Sequence, residues 1–136
     1  MTEQLMNGDD AFLLGSVCSA AIAAGHGRDV RSIYSCLQKE RPENAGGFIL
    51  EGMMLQQEGR LDEALSFIFE HRVLEKPLNS EEAVSFYALL LVQAGDVQGG
   101  YKIAKAAINM DEIVSQSARS VFEQIVNEIE AESALQ

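Results

Sequence analysis

Three glycines close three apolar helical segments at nearly the same interval. Ala24-Gly25, Glu58-Gly59 and Ala94-Gly95 each end a run with apolar residues spaced three and four apart, and each precedes another such run. The glycines stand 34 and 36 residues apart. Glycine just past a helix end takes the left-handed backbone that other residues avoid, so each one marks a turn. A unit of two helices and a tight turn cannot bury its apolar face alone, and such units stack on their neighbours. The spacing predicts an all-α chain, a superhelical stack of about three helical hairpins at 11–44, 45–78 and 81–114 within one domain, 1–136. A last helix over approximately 112–133 is expected to cap the stack, because an open end would expose apolar surface.

The residues inside each unit follow one pattern. In the second, Phe48 is large, Gly52 is small, and Leu55 precedes the turn; Ala64 and Ile68 follow it. The first unit has Leu14, Val17, Cys18 and Ala21 on one helix, Tyr34 and Leu37 on the next, and Pro42 as a helix terminator. The third has Val84, Tyr87, Ala88 and Leu91, then Gly100, Ala104 and Ala107, small residues where helices approach closely, with Gly99-Gly100 read as close-packing positions. This pattern resembles the tetratricopeptide repeat, most closely from Gly52 to Leu65. It departs from it at Val30, at Glu51 in an apolar place, at His71 in a small one, and at Pro77, one place late. Asn79 or Ser80 is expected to cap the helix near Glu81. Asp111 is expected to cap the final helix, with Val114, Ala118, Val121, Phe122, Ile125 and Ile129 on its apolar stripe.

Charge narrows the partners. Acidic residues outnumber basic ones 21 to 10, a formal net charge of −11. Such a surface repels nucleic acid, whose binding rests on Lys and Arg, and it repels an anionic membrane. No apolar run reaches the roughly 20 residues of a membrane span. The first ten residues carry three acids and no base, unlike a secretory signal, so a cytoplasmic location is expected.

Reactive chemistry is sparse. Cys18 and Cys36 form no C-x-x-C pair and read as packed thiols in a reducing compartment. His26 and His71 lack ligand partners at helical spacing, so no metal is expected. Gly46-Gly47 and Gly99-Gly100 lack the Lys and Ser/Thr of a phosphate cradle, so no cofactor is expected. Glu81-Glu82 and Asp62-Glu63 open helices, where the dipole favours anions. No catalytic residue stands out, and binding rather than catalysis is the expectation.

In the tetratricopeptide class, fixed positions of each first helix face a groove. Here they include Phe12 and Ile22, then Ile49, Met53 and Gln56, then Leu89, Val92 and Gln93, with Gly15, Ser19 and Gly46 among the small ones. Lys and Arg are missing from all of them, so a groove that grips a carboxylate is not expected. An apolar lining suits an amphipathic helix of a protein partner.

The runs Ala21-Ile22-Ala23-Ala24-Gly25, Arg41-Pro42, Leu50-Glu51-Gly52-Met53, Glu58-Gly59-Arg60 and Glu63-Ala64-Leu65 are similar to small bacterial type III secretion proteins. These are the tetratricopeptide-type chaperones and Hrp-type accessory proteins, including the co-chaperone of the needle subunit. The resemblance implies a cytoplasmic chaperone that shields an apolar or amphipathic segment of a secretion subunit before export, with or without a second small co-chaperone. The alternative is a generic adaptor, or a homodimeric scaffold, with no secretion role.

Overall fold

The structure, a computed structural model, describes residues 7–135. Among them are seven α-helices and no strand: α1 (Gly8–Ala23), α2 (Arg31–Glu40), α3 (Gly46–Gln57), α4 (Leu61–Glu70), α5 (Ser80–Gln93), α6 (Val97–Met110) and α7 (Gln116–Ala134). The chain divides into two compact units, Met1–Ser80 and Glu81–Gln136. None of the described helices is long and apolar enough to cross a membrane.

The three turn glycines behave alike. Gly25, Gly59 and Gly95 have φ of +88°, +77° and +101°. Each donates its N–H three residues back, to the carbonyls of Ile22, Gln56 and Val92. The residue after each reaches five back: His26 to Ala21, Arg60 to Leu55, Asp96 to Leu91. This pair of bonds is the Schellman closure, which satisfies two carbonyls left over at a helix C-terminus. A repeated local closure therefore ends α1, α3 and α5 and sets the turn inside each hairpin.

In the first unit the core is Cys18, Ile22, Tyr34, Leu37, Phe48, Met54, Leu55, Ala64, Ile68 and Val73, all buried. Gly52 is buried with them, in line with its reading as a small packing position. Gly47 brings the start of α3 against α2; a Cβ there would sit 3.0 Å from the Gln38 nitrogen. Glu51, out of place by pattern, is satisfied by Gln38, whose Nε2 donates to it at 2.9 Å and to the Gly47 carbonyl at 3.1 Å. His71 lies against the Phe67 ring, centroids 4.3 Å apart, and its Nδ1 is 3.1 Å from the Phe67 carbonyl. Both cysteines are free, and burial pushes the Cys18 thiol up.

The turns of the first two hairpins are joined by charge. Glu58 accepts from Arg28 at 2.6 Å and from Arg60 at 2.9 Å, and Arg60 also pairs with Glu63. Hydrogen bonds from Arg28 and Arg60 lower the Glu58 carboxyl from 4.5 to about 2. A carboxyl depressed on folding stabilises fully above its unfolded value and loses that contribution as pH falls through the folded one. Glu58→Gln should therefore melt below wild type at neutral pH, and the gap should close between pH 4.5 and pH 2. Thermal melts across that range test this; a gap that persists below pH 2 would locate the effect elsewhere.

In the second unit, Ala88, Ala104, Ala118, Phe122, Ile125 and Val126 form a buried cluster. Gly100 permits the approach of α6 to α5: an added Cβ would lie 2.6 Å from the Ala88 carbonyl oxygen. Gly99 differs from the expectation that both glycines serve close packing between helices, since the three atoms nearest an added Cβ all belong to the capping side chain of Asp96. Asp111 does not cap α7. It ends α6 in the left-handed region at φ 52°, and Ser115 caps α7 by accepting from the Ala118 N–H at 3.2 Å. Val114, expected on the apolar stripe, precedes α7 and is 86% exposed. Its N–H donates to Glu81, as does that of Ser115.

Candidate functional site

Helix α1 carries no charged residue from Ala11 to Ala23. A helix so apolar is ordinarily buried on all sides. Here Cys18 and Ile22 face the core, while Phe12, Leu13 and Val17 are 78%, 62% and 49% exposed. Val17 thus departs from its expected inward place. Singly exposed apolar side chains are ordinary, but three on two turns of one helix form an apolar patch.

Beside this surface lies a cleft of about 450 Å³ in the first unit, framed by α1, the end of α2 and the start of α3. That is within the range of roughly 300–1,000 Å³ usual for ligand sites. Ala11, Phe12, Leu37 and Leu50 supply its apolar wall, and Gly15 leaves it open: a Cβ there would meet nothing within 4 Å. Ser16 and Ser19 also line it, the Ser16 hydroxyl donating to the Phe12 carbonyl at 3.0 Å.

The opposite wall is polar and comes from loops. Arg41 follows α2, Asn44 precedes α3, and Asn79 precedes α5. The two loops are clipped by their backbones: the Ala45 N–H donates to the Leu78 carbonyl at 2.9 Å, and the Leu78 N–H to the Glu43 carbonyl at 3.2 Å. Asn79, at φ 61°, occupies the left-handed region that asparagine tolerates better than most residues. Its Nδ2 donates to Asn44 Oδ1 at 2.7 Å, and the same oxygen accepts from the Gly46 N–H at 2.8 Å. Asn79, expected as a helix cap, thus sends its amide nitrogen to this cleft wall.

Of the eight residues expected on a groove, Phe12 lines this cleft. Ile22, at 1% exposed, is core. Ile49, Met53 and Gln56 are half-buried on α3 and do not line the cleft. Leu89 and Val92 pack against the buried cluster of the second unit, and Gln93 is exposed. Gly15, Ser19 and Gly46, small residues of the same expected set, do line the cleft. Sequence reasoning missed Arg41, Asn44 and Asn79 because they lie on loops outside the first-helix positions. Their one signal is Arg41-Pro42, a cation fixed just before a helix terminator.

Among the described residues no cluster of three His, Cys, Asp or Glu could hold a metal ion. No family model matches the chain, and neither a curated protein nor a solved structure is similar to it.

Proposed function

We propose that this chain is a protein-binding adaptor of the tetratricopeptide class, and that the α1–α3 cleft receives an apolar segment of a partner polypeptide. The single observation that carries this reading is the charge-free stretch 11–23 of α1, with Phe12, Leu13 and Val17 exposed beside a cleft in a chain of net charge −11. The hairpins with Schellman turns 34 and 36 residues apart support the repeat class. On this reading the chain acts in the cytoplasm without chemistry of its own. Covering an amphipathic helix of a secretion subunit blocks premature assembly, and the apolar area removed from water stabilises the complex against the cost of ordering the partner. A second small co-chaperone fits the same scheme. The exposed stripe of Leu13 and Val17 favours one other reading, a homodimeric scaffold joined through α1.

Gly15→Leu tests the cleft without disturbing the core. The position is helical, its Cβ meets open space, and leucine gains roughly 0.5–1 kcal/mol of helix propensity over glycine. The variant should melt at or above the wild-type temperature, while the new side chain fills the cleft. Co-expression with the proteins encoded beside it should yield a small partner that co-elutes with wild type and not with the variant. A folded Gly15→Leu protein that keeps its partner would remove the cleft from the function. A clean dimer with no partner would favour the scaffold.

A further inference from the structure

We propose that a second copy of this chain packs antiparallel along the outer stripe of α1, about a two-fold axis that passes between Val17 and Ala20. The pairing is independent of what the cleft receives.

Spacing is the first observation. Leu13, Val17, Ala20 and Ala24 follow one another at intervals of four, three and four, the alternation by which one helix offers a straight seam to another. All four are exposed, Leu13 at 62% and Val17 at 49%. Cys18 and Ile22 lie on the far side of the helix, in the core. Gly8, Ala11, Gly15 and Ser19 turn a third side to the cleft. Core, cleft and seam thus use different residues of one helix, and Ser16 lies at the edge where cleft and seam meet.

Size is the second observation. The seam is large at one end and small at the other. With two copies antiparallel, Leu13 of each faces Ala24 of the other, and Val17 faces Ala20. Every layer then holds one branched side chain and one alanine, so the two helices meet at an even distance. A parallel pair would set leucine against leucine at one end and alanine against alanine at the other, leaving a gap that close packing does not tolerate. A two-fold contact needs a surface complementary to itself, and this stripe is complementary to its own reverse.

The third observation is charge. A chain of net charge −11 repels its own copy, so a self-contact falls where charge is absent, and no residue from Ala11 to Ala24 carries one. Asp9 and Asp10 open α1. The antiparallel pair holds these acids at opposite ends of the seam, whereas a parallel pair would bring all four together. The helix dipoles favour the same choice. Three turns from each copy make a small contact, under about 1,200 Å² in total, so a dissociation constant on the order of 10 μM is expected.

Sedimentation velocity of the whole protein, from about 1 to about 300 μM, should show monomer giving way to dimer. Val17→Glu and Ala20→Lys, both at exposed positions, should each melt near wild type, yet weaken the pairing more than about tenfold, because a charge is then buried unpaired in the seam. Mixed in equal amounts, the two variants should recover the dimer, since the antiparallel register sets the new carboxylate against the new ammonium. A wild type that stays monomeric throughout, or a dimer that neither substitution weakens, overturns the inference. Variants that stay apart when mixed overturn the antiparallel register. Gly15→Leu, on the cleft side, should dimerise as wild type does. If wild type alone is monomeric and Val17→Glu loses a co-expressed small protein, the stripe belongs to a different partner: self-pairing falls and the adaptor reading stands.

Discussion

Gly100→Ala should destabilise the second unit by about 3 kcal/mol or more, the upper end of what one added methyl does in a packed interior. Its Cβ would stand 2.5 Å from Val92 Cγ2 and 2.6 Å from the Ala88 carbonyl oxygen. A side-chain carbon can rotate away, but a carbonyl in the middle of α5 cannot move without carrying the helix with it. The two helices must therefore separate, and the contacts of Ala104 with the buried cluster loosen. A fall in melting temperature of more than about 10 °C is the expected reading. Gly99→Ala is the control. The atoms nearest its Cβ all belong to the Asp96 side chain, so the expected loss is that of a helix cap, about 1 kcal/mol, partly offset by the gain in helix propensity. If the two neighbours behave alike, the close approach of α5 and α6 at Gly100 is wrong.

Phe122→Ala should cost about 3–5 kcal/mol, the range for removing a buried aromatic ring. Phe122 is 2% exposed at the centre of the cluster formed with Ala88, Ala104, Ala118, Ile125 and Val126. Three of these neighbours are alanines, too short to reach into the space the ring would leave, so the site collapses poorly. Urea unfolding should show a lowered midpoint with an unchanged slope, since the surface exposed on unfolding is nearly the same. Val114→Ala, on a side chain 86% exposed, should leave the midpoint where it is. A mild effect at Phe122 would mean that α7 does not form part of the second core.

The hairpins were legible because glycine at a helix end has one dominant cause. Only a left-handed backbone requires it there, and three such positions recur at a near-constant interval. The core of the second hairpin was legible for a related reason: Phe48, Leu55, Ala64 and Ile68 recur at helical spacing, and all four are buried. Asp111 was misread because aspartate suits two opposite tasks, capping a helix start and tolerating the left-handed backbone after a helix end. The two glycines of α6 look identical in sequence, yet one faces a neighbouring backbone and the other its own cap. Which is which depends on the rotation of α6 against α5, a tertiary quantity. The polar wall of the cleft was the least legible part. Asn44 and Asn79 stand 35 residues apart, and only the clip between two loops brings their amides together.

That clip has a consequence for how much the chain can vary. In a linear array, each hairpin owes part of its persistence to its coupling with the next. Much of that coupling is ordinarily written in side chains, and so erodes as the sequence drifts. Here the two ends of the second hairpin are also tied by a bond between peptide groups, from Ala45 to Leu78, and a second such bond runs from Leu78 to Glu43 at the end of the first. Peptide groups are the same in every residue. At Ala45 and Leu78, proline alone would remove a donor, and nearly any other substitution leaves these two bonds possible. The closure of the second hairpin, and its one peptide-group hydrogen bond to the end of the first, are thus carried by an element with almost no alphabet.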